Sequence, residues 1–337
     1  MEQDGFLNAA FADRFADYAD ICFKHFGDRV KNWITLNEPW CSAFLGHGNG
    51  YFAPGRSSDT EPYLAAHNLL RGHAKAVAVY RSSYQAKQQG QIGITNNCDW
   101  REPKTDDPKD IAAAQRALEF FLGWFADPVY KGDYPAVMRE LVGDRLPQFS
   151  TEDAALIKGS SDFFGLNHYT AMYASDAGQT AIDNSDVAGN GGMADDKHVE
   201  LSADPRWELT NNDWNVTPWG CRNILEWIDQ LYDHPPIYIT ENGCCLPEDD
   251  KAVALDDQRR LNFFKGYIGA CHEAIDNGVD LRGYFCWSFM DNFEWACGYS
   301  KRFGITHVDY ETGERTPKAS ALWYADVCKL NALSAND

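Results

Sequence analysis

The sequence predicts an α/β fold, in which a parallel β-sheet is covered by helices. Apolar runs of strand length alternate along the chain with stretches that carry apolar residues at helical spacing. The runs are continuous rather than alternating, as in strands buried on both faces of a parallel sheet. Two runs are each followed at once by a glutamate, Glu38 or Glu241. Side chains at the C-terminal ends of parallel strands are where β/α-barrels build their active sites.

Five strands are predicted, and each of them ends in polar or aromatic residues. The predicted strands cover residues 32–37, 91–97, 163–169, 236–241 and 283–288. The predicted helices cover residues 9–26, 61–88, 108–125, 135–142, 220–233, 256–277 and 317–330. Five parallel strands suit an open doubly wound sheet as well as part of a closed barrel, which needs eight. A Gly-, Asp- and Ser-rich stretch over 183–197 predicts a surface loop.

The composition excludes several classes of function. Hydrophobic residues make up 44% of the 337 residues, which allows a large core, and the net charge of −20 argues against nucleic acids and anionic membranes as partners. There is no long apolar run and no N-terminal signal pattern, so neither a membrane span nor a signal peptide is predicted. The ten cysteines form no C-x-x-C pair, so they predict neither a zinc site nor a disulfide scaffold, but free thiols in a reducing, cytoplasmic compartment. No metal and no cofactor are expected.

The glutamates at the strand ends have an ordinary and a functional interpretation. A single glutamate after a strand is usually a solvated loop residue, and an asparagine there usually forms a turn. Pro39 follows Glu38, and Asn242-Gly243 follows Glu241, so turns explain part of the pattern. Two glutamates at matching strand ends, together with nearby Trp, Tyr and Asn residues, favour an active site. A pair of carboxylates facing one cavity is the machinery of glycoside hydrolysis.

Two motifs resemble the signatures of glycoside hydrolase family 1, the β-glucosidase family. They are Thr-Leu-Asn-Glu-Pro over residues 35–39 and Ile-Thr-Glu-Asn-Gly over 239–243. Further segments that resemble the family cover residues 27–33, 52–56, 123–135, 163–170 and 287–295. The resemblance extends along essentially the whole chain, is closest to fungal intracellular members, and implies one glycosidase domain over residues 1–337.

The resemblance implies a retaining mechanism through a covalent glycosyl-enzyme. It implies Glu38 as the general acid/base and Glu241 as the nucleophile. Tyr169 would donate a hydrogen bond to the nucleophile, Asn37 would contact the 2-hydroxyl of the sugar, and Trp287 would lie under the glucose ring. The implied substrates are small β-glucosides, namely cellobiose and aryl or alkyl β-glucosides, so a role in cellulose degradation is expected.

Five further substrate-binding residues are implied by the same resemblance. Glu294 and Trp295 would hold the outer hydroxyls, Trp40 and Leu45 would line the entrance, and Asn167 would complete the set. A carboxylate at Glu294, in place of a basic cluster, argues against 6-phosphorylated sugars because it would repel a phosphate.

The resemblance also implies a particular register with the family's barrel. Residues 4–8 resemble the segment after the third barrel strand, so the five predicted strands would be strands four to eight of a (β/α)8 TIM barrel. Completion of the barrel would then need an N-terminal segment or association into a homo-oligomer. The alternative is a catalytically impaired barrel fragment, or a sugar-binding remnant, that needs an N-terminal complement.

Overall fold

The structure, a computed structural model, describes residues 3–178, 196–248 and 250–333. The chain divides into two compact units. Unit 1 contains the described residues of Met1–Asn167 and Tyr173–Ser202, and unit 2 those of His168–Met172 and Ala203–Asp337. The loop predicted over 183–197 lies, as far as residue 195, outside the described residues. The prediction of a single domain stays a prediction.

Unit 1 contains three strands that run parallel to one another. β1 (Asn32–Asn37) pairs with β2 (Gln91–Asn97), which pairs with β4 (Phe164–Asn167). Asn37 pairs with Thr95, and Asn97 pairs with Asn167, so the carboxyl ends of the strands lie close to level. Three short strands form a second, separate sheet: β3 (Trp100–Pro103), β5 (Ala171–Asp176) and β6 (Val199–Ser202).

Helices of unit 1 cover the strands and enclose a core that includes Leu69, Leu70, Ile94 and Trp124. They are α1 (Phe11–Phe26), α2 (Glu61–Ser83), α3 (Gln85–Gln88), α4 (Pro108–Leu118), α5 (Trp124–Tyr130), α6 (Ala136–Val142) and α7 (Thr151–Ile157). π-Helical turns cover Cys41–Leu45 and Glu119–Gly123.

Two helix predictions in unit 1 need correction. The helix predicted over 61–88 is interrupted at Tyr84. Pro128, predicted to lie in a connection, is inside α5. A proline has no N–H, so α5 lacks one backbone hydrogen bond at this residue.

Unit 2 contains a parallel strand pair and a C-terminal hairpin. β7 (Ile237–Asn242) pairs with β8 (Leu281–Cys286), and Asn242 lies opposite Cys286. The antiparallel hairpin consists of β9 (Thr306–Val308) and β10 (Arg315–Pro317). The helices are α8 (Pro218–Leu231), α9 (Lys251–Asp256), α10 (Gln258–Asp276) and α11 (Ala319–Leu330). The helix predicted over 256–277 starts one residue after Asp257, whose φ is 47°.

All five predicted parallel strands are present, which confirms the α/β fold class. The strands of each unit differ in exposure. Within unit 1, β2 and β4 are buried almost throughout, whereas Ile34 of β1 is 45% exposed. Within unit 2, Phe285 of β8 is 57% exposed. Large apolar side chains are unusual on the free edge of a sheet, because such edges invite further pairing. No helix in the described part of the chain is long and apolar enough to cross a membrane.

Candidate active site

The backbone at Glu38 adopts a left-handed conformation with a φ of 47°. Glu38 follows β1 directly, and its N–H donates a 3.0 Å hydrogen bond to the carbonyl of Thr95 on β2. This backbone region is uncommon for a residue with a side chain. The strand end therefore turns the Glu38 side chain in a direction that ordinary strand geometry would not give.

Each carboxylate oxygen of Glu38 accepts a hydrogen bond within unit 1. Asn167, the last residue of β4, donates from Nδ2 to Oε1 at 2.8 Å and to Oδ1 of Asn37 at 3.1 Å. The Cys41 thiol donates to Oε2 at 3.1 Å. These contacts hold the carboxyl group in one orientation and link it to the ends of both β1 and β4.

Burial raises the pKa of Glu38 above its ordinary value. The hydrogen bonds from Asn167 and Cys41 act in the opposite direction, and the negative charge of Asp99 adds a smaller upward contribution. Burial dominates because it removes water from the ionised carboxylate. Glu38 therefore keeps its proton to higher pH than an exposed glutamate, as a general acid requires.

The other predicted residues of unit 1 differ in exposure. Asn37 is exposed at the end of β1, apart from its contact with Asn167. Trp40 is half-buried, with its ring 4.9 Å from that of Phe44 and 4.6 Å from that of Phe121. Leu45 is only 5% exposed and packs in the core of unit 1. The predicted place of Leu45 at the entrance stays a prediction.

In unit 2, the hydroxyl of Tyr169 donates a 2.7 Å hydrogen bond to Oε2 of Glu241, the penultimate residue of β7. The position of Tyr169 is itself supported from two sides. Tyr267 donates from its hydroxyl to the Tyr169 carbonyl at 2.8 Å, and the Trp214 ring lies 4.9 Å from the Tyr169 ring. A hydrogen bond donated to a carboxylate stabilises its ionised form, which is the form a nucleophile needs.

Asn242 and Gly243, at the end of β7, also contact the segments that contain His168 and Trp287. The buried Asn242 side chain donates from Nδ2 to the His168 carbonyl at 2.7 Å, and the backbone carbonyl of Asn242 accepts from the Trp287 N–H at 2.7 Å. A Cβ atom at Gly243 would lie 1.8 Å from the Trp287 carbonyl oxygen. Glycine is thus required by this close approach, which holds the segments after β7 and β8 together.

The segment after β8 carries Trp287, Glu294 and Trp295. Trp287 and Glu294 are half-buried, whereas Trp295 is 65% exposed, with a φ of 43°. Asp291, in the middle of this segment, has a buried carboxylate. It accepts hydrogen bonds from Arg302 Nη1, Lys318 Nζ and the N–H groups of Gly304 and Val308.

A network of buried charges extends from Asp291 through unit 2. Lys318 is fully buried and also donates to both oxygens of Glu248, at 2.6 and 2.7 Å. Arg260, also fully buried, donates to Glu248 at 2.7 Å and to Asp257 at 2.5 Å. Buried charges need such complete pairing. The network anchors the segment that carries Glu294 and Trp295.

The structure brings Glu38, Asn37 and Asn167 into direct contact within unit 1, and Glu241 and Tyr169 within unit 2. The sequence interpretation gave no role to Cys41, and it placed Asp291 in the polar segment after the last strand without a role of its own. Cys41 lies three residues after Glu38, a spacing at which one turn brings two side chains together. Asp291 lies inside the segment 287–295 that resembles the family. No group of three or more His, Cys, Asp and Glu side chains among the described residues could hold a metal ion, and the prediction of no cofactor stays a prediction.

The chain is similar in sequence to proteins that are named as β-glucosidases. Beta-glucosidase 42 of Arabidopsis thaliana is 46% identical over 336 residues, which cover 96% of this chain and 68% of that protein. Beta-glucosidase 1B of Phanerodontia chrysosporium is 44% identical over 331 residues, which cover 94% of this chain and 60% of that protein. The chain thus spans 60% to 68% of the length of these two relatives.

Solved structures of β-glucosidases are also similar to this chain. The rice Os3BGlu6 β-glucosidase matches with a TM-score of 0.90 at 41% identity, over 96% of this chain and 71% of that one. A GH1 β-glucosidase from the fungus Humicola insolens, solved in complex with glucose, matches with a TM-score of 0.89 at 41% identity, over 97% and 71%. The family described as Glycosyl hydrolase family 1 matches residues 1–333. The chain therefore belongs to glycosyl hydrolase family 1.

Proposed function

We propose that this chain carries the catalytic residues of a retaining β-glucosidase. In the first step, the Glu241 carboxylate attacks the anomeric carbon while Glu38 protonates the departing glycosidic oxygen. The products of this step are the free aglycone and a glucose unit bonded to Glu241. In the second step, the ionised Glu38 takes a proton from water, the water oxygen bonds to the anomeric carbon, and Glu241 leaves.

The observation that carries this proposal is the contrast between the two glutamates. Glu38 is half-buried and has a raised pKa, so it is suited to hold a proton. Glu241 accepts a hydrogen bond from the Tyr169 hydroxyl, so it is suited to stay ionised. Environments that differ in this way separate an acid from a nucleophile among residues of the same type.

The proposed substrates are β-glucosides with a small aglycone, such as cellobiose and aryl or alkyl glucosides. Asn37 would contact the 2-hydroxyl, Trp287 would lie under the ring, and Glu294 with Trp295 would bind the outer hydroxyls. The hydrogen bonds of Asp291 support this assignment, because they anchor the segment that carries Trp287, Glu294 and Trp295. Trp40 and Leu45 are proposed to line the entrance.

We further infer that the five parallel strands correspond to strands four to eight of the family's eight-stranded barrel. Two observations support this inference: the apolar exposure of Ile34 on β1 and of Phe285 on β8, and the shorter span of the chain relative to its relatives. Three further strands, from an N-terminal segment or a second copy, would cover those side chains. Without them, the chain is expected to bind and turn over glucosides poorly. A reducing, cytoplasmic location is also proposed, because half of the cysteines are buried free thiols.

Three measurements on the 337-residue chain test these proposals. Proton NMR during hydrolysis of an aryl β-glucoside should show β-glucose as the first sugar formed, and the α-anomer appearing first would overturn the retaining mechanism. Light scattering and intact mass of the same sample should show a second copy or an additional polypeptide in the active fraction. Ordinary turnover by a monomer of this chain would refute the need for further strands. Glucoside binding without turnover, even with an added N-terminal segment, would favour the sugar-binding remnant.

A further inference from the structure

We propose that Cys41 is a positioning residue for Glu38, whose thiol holds one carboxylate oxygen while the Asn167 amide holds the other. The donor distances are 3.1 Å from Cys41 Sγ to Oε2 and 2.8 Å from Asn167 Nδ2 to Oε1. This inference rests on the proposed function only in giving Glu38 a role in catalysis. The contact itself belongs to unit 1 and exists whatever the chain hydrolyses.

The position of the Cys41 thiol is set by the backbone next to Glu38. The N–H of Cys41 donates a 2.9 Å hydrogen bond to the Glu38 carbonyl, and Cys41 begins the π-helical turn Cys41–Leu45. The two residues are therefore joined twice, once through the backbone and once through the side chains. The turn continues into the buried residues Ala43 and Phe44, so the core of unit 1 supports it.

The Cys41 thiol also contacts a third side chain, that of Asn97. Asn97, at the end of β2, donates from Nδ2 to Cys41 Sγ at 3.6 Å. The sulfur accepts this hydrogen bond at a lone pair, so its own S–H remains available to donate to the Glu38 carboxylate. A relay thus runs from Asn97 through Cys41 to Glu38, and Asn167 approaches the carboxylate from β4. Residues at the ends of β1, β2 and β4 therefore hold the Glu38 side chain in its orientation together.

The relay has a consequence for the acid/base behaviour of Glu38. A thiol can donate to the ionised carboxylate and so favours that form over the protonated acid. The titratable groups recorded around Glu38 in unit 1 are Cys41 itself and Asp99, which follows β2. Removal of the thiol leaves the burial of Glu38 and the charge of Asp99 in place. The pKa of Glu38 should therefore rise when Cys41 loses its donor.

The test measures the pKa of Glu38 directly, without depending on turnover. The chain is labelled with ¹³C at the glutamate carboxyl carbons, and the Glu38 signal is assigned by its loss in Glu38→Gln. We expect Cys41→Ala and Cys41→Val to raise the pKa of Glu38 by about one unit, the scale of one hydrogen bond to a charged group. Cys41→Ser, which restores a donor of similar size, should bring the pKa back to within a few tenths of a unit of the wild-type value.

Cys22→Ala is the matched control, because Cys22 is another half-buried thiol of unit 1 and lies on α1, away from the turn that carries Cys41. It should leave the pKa of Glu38 unchanged. An unchanged pKa in both Cys41→Ala and Cys41→Val, or an equal rise in Cys22→Ala, would overturn the proposal. Valine matches cysteine in size, so it covers the case in which alanine leaves a cavity. If the pKa rises but Glu38→Gln keeps full turnover, the proposed function fails and the positioning role stands.

Discussion

The hydroxyl of Tyr169 donates a hydrogen bond of 2.7 Å to Oε2 of Glu241. Tyr169 lies two residues after β4, whereas Glu241 lies near the end of β7, so the contact joins positions that are 72 residues apart. Tyr267 holds the backbone of Tyr169 from the other side. The Tyr169 hydroxyl is thus a fixed hydrogen-bond donor for the proposed nucleophile. Its contribution can be tested by removing the hydroxyl oxygen alone.

Tyr169→Phe should lower kcat on an aryl β-glucoside by roughly 10- to 100-fold. The variant keeps the ring and loses only the hydroxyl, and a hydrogen bond to a charged group contributes about 1.5–3 kcal/mol. Steady-state kinetics on an active preparation would measure the change. Tyr18→Phe, at an exposed position of α1, is the control and should have no effect. A kcat of Tyr169→Phe equal to that of the wild type would argue against a catalytic role for this contact.

Glu241→Ala should lower turnover by a factor on the order of 10⁴ or more, because no covalent intermediate can form. Azide should restore turnover by occupying the vacated space and attacking in place of the carboxylate. Attack from that side inverts the anomeric carbon, so NMR of the product should show the α-glucosyl azide. Formation of the β-glucosyl azide by this variant would mean that Glu241 is not the nucleophile.

Glu38→Ala should impair substrates unequally. Glycosides with poor leaving groups need protonation and should lose most of their turnover, whereas aryl glucosides with acidic phenols should lose far less in the first step. Azide should here attack the glycosyl-enzyme from the face opposite Glu241 and give the β-glucosyl azide. The comparison needs a series of aryl glucosides that differ in phenol acidity. Equal losses across the series would contradict the assignment of Glu38 as the acid.

Asp291→Ala should lower the free energy of unfolding by about 3–5 kcal/mol, because it leaves the fully buried Lys318 without one of its two carboxylate partners. Denaturant unfolding would measure this loss. Asp280→Ala breaks the ion pair with Arg282, in which both side chains are 45% exposed, and should lower stability by no more than about 1 kcal/mol. Similar losses in the two variants would show that the Asp291 network contributes little.

His73 should make the stability of the chain depend on pH. It is fully buried between the hydroxyls of Thr35 and Ser160, and burial lowers its pKa from 6.5 to about 3. Between these two values the unfolded chain binds a proton that the native chain does not. The free energy of unfolding should therefore fall as the pH drops below about 6.5, by up to about 1.4 kcal/mol per pH unit.

Urea unfolding at several pH values would measure this slope. His73→Gln, which keeps polar atoms but does not titrate, should make the slope smaller. The buried His67, whose pKa is lowered to about 4, leaves part of the slope in place. His25→Gln, at an exposed position of α1, should leave the slope unchanged. An identical slope in His73→Gln and the wild type would refute the role of His73.

The sequence alone determined the five parallel strands and the two glutamates at the ends of β1 and β7. The reason is that these features are local. A continuous apolar run gives a buried strand, and Pro39 or Asn242-Gly243 marks its end within a few residues. Strands of three or four residues, such as β6 and β9, were not predicted, because a segment of that length is too short to show an apolar pattern.

Only the tertiary structure decided which side chains support each glutamate. Asn167 donates to Glu38 across 129 positions of the chain, and Lys318 reaches Asp291 across 27. It also assigned Leu45 to the core, because burial depends on which helices cover the π-turn and not on the residue's neighbours in sequence. Hydrogen bonds and burial are set by distances in space, and those distances become defined only when the parallel strands pair and bring their ends level.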